Sequence, residues 1–321
     1  MLRRILVPLD GSAFAEDALP LALHLARRHE AHLELARVFE PPAPVSQGAG
    51  APVRDPTFDL ERRRAARDYL DVVRGRMDGA DRARVGTVLI EGDTVDALLA
   101  RVEARHIDLV VMTTHARGGV GRAWLGSVAD GLVRRSVTPV LTLRPRANGS
   151  PPEHRTAYPH VPVSVHPGFG HVLLPLDGST AGEAMIEHAV GVAGDEGVRY
   201  TLLRVLTAEE SPLRAILPRH GETPSSRTQR ATVEATLEAG AEALRRRGLD
   251  ARAQVITDDA PARGILAYAG EHGVDLIAMT TRSSGGLERL LLGSVADEVL
   301  RGWHGPLLLR HPAAGEGARR Q

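Results

Sequence analysis

The chain has 321 residues, 43% of them hydrophobic, with 40 acidic and 40 basic side chains and no cysteine. That length allows about two ordinary domains, and zero formal charge speaks against a large nucleic-acid or membrane patch. Disulfides, thiol catalysis and cysteine-ligated metals are excluded; because every basic residue is arginine, so are P-loop lysines and Schiff bases.

Ile5–Leu9 is a short continuous apolar run, as expected of a strand buried on both faces of a parallel sheet. It is too short for the apolar core of a signal peptide, and no run spans a bilayer, so a cytoplasmic location is expected. Asp10-Gly11-Ser12 breaks the run. Ala15, Ala18, Leu19, Ala22, Leu25 and Ala26 then recur at helical spacing. Leu33–Phe39 reads as a strand, and Glu40–Pro56, with five prolines, as a loop. Phe58–Met77 reads as a long amphipathic helix. Val85–Ile90 is a third strand, followed by a helix capped at Asp93 or Thr94. Leu109–Met112, a glycine-rich loop, a helix from Ser127 and the strand Val140–Leu143 complete the set.

The same plan returns 167 residues later. Pro8-Leu9-Asp10-Gly11-Ser12 recurs at Pro175–Ser179, and Leu125-Gly126-Ser127-Val128-Ala129-Asp130 recurs at Leu292–Asp297. Two motifs repeating in register indicate two copies of one domain. The expected boundaries are 1–145 and 170–312, with a proline-rich linker at 146–169 and a tail at 313–321. Strands in the second copy are Val172–Leu176, Tyr200–Val205, Ala253–Thr257, Leu276–Met279 and Leu307–Leu309, with helices at Thr180–Ala193, Ser225–Arg247, from Pro261 and from Ser294. Strands alternating with helices imply parallel crossover units and an open, doubly wound α/β sheet in each copy. His154, His160, His166 and His171 show no metal-ligand spacing.

In such a sheet, ligands bind beyond the carboxyl ends of the strands, where strand order reverses. Three features of each copy fall there. Pro8, Leu9 and Asp10 (Pro175, Leu176 and Asp177) follow the first strand. Val38 (Val205) ends the second. The glycine loop leads to Gly126-Ser127 (Gly293-Ser294) at a helix start, where unpaired amides and the helix dipole favour an anion such as a phosphate. Ser127-x-x-Asp130 and Ser294-x-x-Asp297 also read as plain capping boxes. Asp10 and Asp177 read either as helix caps or as acceptors for a ligand. No nucleophile elbow or other catalytic constellation stands out, so an enzyme is not expected.

Together these residues resemble the universal stress protein family in its tandem two-domain form, over Arg3–Arg144 and His171–Arg310. The resemblance implies a five-stranded parallel sheet flanked by helices (adenine nucleotide alpha hydrolase-like). Nucleotide-binding members carry Gly-x-x-Gly, nine residues, then Gly-Ser/Thr. This chain has Thr113-x-x-Ala116 and Thr280-x-x-Ser283 at that spacing, so the final pair is kept and both earlier glycines are replaced. Arg117 stands one residue beyond, a cation for a phosphate. By the same resemblance, Pro8, Asp10 and Val38 line the base and ribose end. Met112, Thr113, Ala116, Gly126, Ser127 and Val128 surround ribose and phosphates. The matching second set is Pro175, Asp177, Val205, Met279, Thr280, Ser283, Gly293, Ser294 and Val295. The implied ligand is ATP or a related adenine nucleotide, with or without Mg2+, bound by a stress-response sensor or switch. The resemblance also implies pairing of Val140–Leu143 with Leu307–Leu309 within one chain; a homodimer of chains and an unknown protein partner also stay open. A non-binding adaptor scaffold and a slow ATPase are the alternatives.

Overall fold

The computed structural model describes residues 2–41, 56–114, 125–144, 168–207, 224–281 and 292–312. The chain divides into two compact units. Ala116, Arg117, Ser283 and most of the expected linker and tail lie outside the described residues.

The first unit runs β1 (Arg4–Pro8), α1 (Ala13–Glu16), α2 (Leu19–Arg28), β2 (His32–Phe39), α3 (Pro56–Gly75), α4 (Gly79–Arg84), β3 (Val85–Glu91), α5 (Thr94–Ala104), β4 (Leu109–Thr113), α6 (Ser127–Arg135) and β5 (Val140–Leu143). Its strands lie in the order β3-β2-β1-β4-β5, all parallel. The continuous apolar runs are buried as their composition requires. Ile5, Leu6, Val7, Leu109, Val110 and Val111 are all 0% exposed, and each full burial of such a side chain stabilises by about 1.5–3 kcal/mol. Asp108 fixes the starts of β1 and β4 together, accepting from the backbone N–H groups of Arg3 (2.7 Å) and Arg4 (2.9 Å).

The second unit runs β6 (His171–Pro175), α7 (Thr180–Ala193), β7 (Arg199–Leu206), α8 (Pro224–Arg246), β8 (Asp250–Thr257), α9 (Pro261–Glu271), β9 (Leu276–Thr280), α10 (Ser294–Gly302) and β10 (Leu307–Arg310). Its strands are also parallel, in the order β8-β7-β6-β9-β10. Asp275 repeats the role of Asp108, accepting from Gly170 N (2.8 Å) and His171 N (3.2 Å).

Two departures from the sequence reading have physical causes. The single first helix expected across Ala15–Ala26 is two helices, broken at Asp17-Ala18. Pro20 sits in the first turn of α2 and has no N–H to donate to a carbonyl one turn back. Glu187 stands at the matching place of α7, which runs unbroken from Thr180 to Ala193. Before β3, a short helix, α4, had no apolar periodicity to announce it. Asp78 caps it, accepting from Asp81 N at 2.8 Å, and Asp81 pairs with Arg27 on α2.

Buried polar pairs differ between the units. In the first, Glu34 on β2 is 5% exposed and receives two bonds from Arg101 on α5, at 2.8 and 2.7 Å. In the second, the matching residues are Thr201 and Tyr268. There Thr201 Oγ1 meets His171 Nε2 at 2.9 Å, while His171 Nδ1 contacts the His272 carbonyl at 3.0 Å.

Candidate functional site

β1 pairs with β2 on one side and β4 on the other, so chain direction of travel across the sheet reverses at β1. Beyond β1, Leu9 N still reaches Ala36 O at 2.8 Å. Asp10 then closes a tight turn by accepting from Ser12 N at 2.8 Å. Gly11 takes φ +87°, which a side chain disfavours. Ser12 caps α1, its hydroxyl accepting from Ala15 N at 3.2 Å. Asp10 therefore shapes the turn and is not itself the helix cap.

On β2, Glu34 contacts α5, and Arg37 lies over the Tyr69 ring of α3, 4.9 Å from its centroid. Alternation along the strand puts Ala36 and Val38 on the α5 side with Glu34, and turns Arg37 to the α3 side. At the far side of β1, Thr114 N continues the sheet to Leu143 O at 2.8 Å, and Gly126 N returns to Thr114 O at 2.7 Å. That last bond folds the start of α6 over the end of β4.

The start of α6 corrects the capping-box reading. Gly126, in extended conformation, is the N-cap, with no side-chain cap bond. Ser127 is the first helical residue. Asp130 pairs instead with Arg134 at 2.7 Å, one turn on. The amides of Ser127, Val128 and Ala129 have no partner among the described residues, nor does the Ser127 hydroxyl. The same holds at α10: Gly293 is the uncapped N-cap and Asp297 pairs with Arg301 at 2.6 Å.

These ends enclose a cleft of about 230 Å³. Pro8, Leu9 and Asp10 line it from β1, and Val38 from β2. Met112 and Thr113 line it from β4, and Gly126, Ser127 and Val128 from the start of α6. The second unit has a cleft of about 210 Å³, lined by Pro175, Leu176 and Asp177, by Val205, by Met279 and Thr280, and by Gly293, Ser294 and Val295. Every expected site residue within the described segments thus reaches one of the two clefts. Asp177 Oδ1 accepts from Ser179 N at 2.9 Å and Ser179 Oγ at 2.6 Å, while its buried Oδ2 has no partner among the described residues. A buried carboxylate oxygen without a donor is costly unless a ligand supplies one.

A model of the universal stress protein family matches residues 1–144 and again 168–311. The chain belongs to the universal stress protein family. It is similar to a universal stress protein of Mycolicibacterium smegmatis, 25% identical over 310 residues, covering 96% of this chain and 97% of that one. A single-domain universal stress protein of Thermus aquaticus is 30% identical over 144 residues, covering 45% of this chain and all of its own length. In fold the chain is similar to the crystal structure of a universal stress protein from Archaeoglobus fulgidus. There the TM-score is 0.66 at 18% identity, with 98% of this chain and 97% of that one covered.

Within this universal stress protein, several cleft residues escaped the sequence reading. Ala36, Thr94, Leu98 and Thr114 line the first cleft, and Leu203, Pro261, Ile265 and Thr281 the second. Thr94 and Leu98 share the 167-residue offset with Pro261 and Ile265, so the repeat carried a signal for that wall. Arg37 and Arg204, at matching positions in the second strand of each copy, line the clefts too and were a second readable signal. Arg204 Nη1 donates to Leu176 O at 3.1 Å, bracing the end of β6. Among the described residues no cluster of three or more His, Asp or Glu side chains is arranged to hold a metal ion, and no helix is long and apolar enough to cross a membrane.

Proposed function

We propose that each domain binds an adenine nucleotide, ATP or a close relative, and that the protein acts as a nucleotide-dependent sensor in a stress response. The observation that carries this reading is the doubled helix start. In both units a glycine N-cap leaves the first-turn amides without a partner among the described residues, and the acidic residue that usually caps such a turn is engaged one turn further on. Anions suit such a position. The apolar slot between Val38 and Leu98, or Val205 and Ile265, suits the flat face of a base. Asp10 and Asp177 supply acceptors for hydroxyl groups of a sugar. This is binding chemistry, and the reading assigns the clefts no turnover.

The test is to purify the protein without added nucleotide, denature it, and identify any released small molecule by chromatography and mass. An adenine nucleotide in stoichiometric ratio to protein supports the proposal. Absence of any, together with no binding on titration with ATP and Mg2+, would leave the clefts as features of an adaptor scaffold.

A further inference from the structure

The two clefts are alike at the helix start and unlike at the opposite end. With the anion of a ligand held at Gly126–Val128, the strand order carries the rest of the molecule across β1 to the slot between Val38 and α5. At that end Glu40 reaches across to the first residue of α5. Its Oε1 accepts from both Thr94 N, at 3.0 Å, and the Thr94 hydroxyl. Thr94 itself lines the cleft. Glu40 Oε2 makes no hydrogen bond among the described residues. Glu40 is exposed and is not itself one of the lining residues; bonded to Thr94, it stands beside the cleft as a carboxylate that, when ionised, only accepts.

Among the described residues the second cleft has no such group. Thr207 occupies the chain position of Glu40, and Pro261 that of Thr94; both line the cleft. Pro261 has no N–H to anchor a carboxylate. A threonine hydroxyl both donates and accepts, so it meets an amine or a carbonyl equally well.

From this difference, and resting on the nucleotide reading above, we infer that Glu40 makes the first domain selective for a ligand whose distal end carries a hydrogen-bond donor, the 6-amino group of adenine, against a 6-carbonyl. An amine gains a charge-assisted bond, whereas a carbonyl faces a like-signed oxygen. The second domain lacks this discrimination.

The test uses the full chain and two triphosphates: ATP, with a 6-amino group and an acceptor at N1, and inosine triphosphate, with a 6-carbonyl and a donor N–H at N1. Gly293→Asp places a carboxylate on the second helix start, in a backbone conformation that aspartate caps readily, and leaves one site to titrate. In that background ATP is expected to bind about tenfold tighter than inosine triphosphate, the effect of one hydrogen bond to a charged group. Glu40→Gln should bring the ratio near one, because its amide can turn a donor to the carbonyl. Gly126→Asp, which isolates the second site, should give a ratio near one that Glu40→Gln leaves unmoved. A first-site ratio near one, or a preference that survives Glu40→Gln, overturns the inference while leaving nucleotide binding intact. Failure of wild-type protein to bind either triphosphate overturns both. Glu40 is exposed, and Asp93 caps α5 independently by accepting from Val95 N and Asp96 N, both at 3.1 Å. The comparison of ratios within one variant does not depend on how much protein is folded.

Discussion

The guanidinium of Arg37 lies flat against Gly11: a Cβ at that glycine would stand 3.1 Å from both terminal nitrogens of Arg37 and 3.2 Å from its Cζ. The same guanidinium lies over the Tyr69 ring, 4.9 Å from its centroid. The turn that carries Asp10 into the first cleft is thus pressed between β1 and a stacked cation on β2. In the second unit the matching glycine, Gly178, has open space around it, and Arg204 braces a carbonyl instead.

Gly11→Ala and Gly178→Ala should therefore differ. Both glycines have positive φ, +87° and +80°, so each alanine costs about 1–2 kcal/mol in backbone strain. Gly11→Ala must also displace Arg37, and should be the more destabilising by about another 1 kcal/mol or more. It should weaken ligand binding in the first cleft as Asp10 shifts. Urea unfolding of the two variants, with binding measured alongside, checks this. Equal destabilisation would mean that Arg37 yields freely.

Arg101→Ala should destabilise the first domain by about 3 kcal/mol, because it leaves Glu34 buried without its cation. Replacing both partners with methionine should cost much less than the single change, since no charge is then stranded. Denaturant midpoints for the single and double variants decide it. A double variant as weak as the single one would show that packing, not the stranded carboxylate, dominates.

Stability of the second domain should fall on acidification. Burial pushes the His171 imidazole below its ordinary value of 6.5, outweighing the opposing contact with the His272 carbonyl. The unfolded chain then binds more protons than the folded one between the two values. The contribution is complete above about pH 6.5 and is lost as pH falls through the folded value. Arg4 stands at the matching place in the first domain, so no imidazole titrates at that position there. Hydrogen exchange followed domain by domain from pH 7.5 to 5 should show second-domain protection falling faster, and His171→Gln should remove the difference.

Legibility in the sequence varied with the length scale of the signal. Strands buried on both faces announced themselves, because runs such as Leu109–Met112 contain nothing that could face water. The ends of those runs put Asp10 and Val38 beside one crevice, the family resemblance added Met112, and the 167-residue offset carried the same set to the second copy. Less visible were features set by a single residue's geometry. Gly126 and Ser127 both suit an N-cap, and sequence alone gave no reason to shift the helix by one position. That shift decides whether the serine caps the helix or stands free beside the first-turn amides. Glu40 lay at the edge of a proline-rich stretch, where no periodicity ties it to Thr94. The break at Asp17-Ala18 was readable from Pro20, had its missing N–H been weighed against the apolar spacing around it.

The most direct test of the central claim is to count nucleotide sites by equilibrium titration with ATP in wild-type protein, Gly126→Asp, Gly293→Asp and the double variant. Both substitutions put a carboxylate on an uncapped helix start, where it competes with a phosphate for the same amides. Two sites in wild type, one in each single variant and none in the double are predicted. No site in wild type, or two sites persisting in the double variant, would contradict the account.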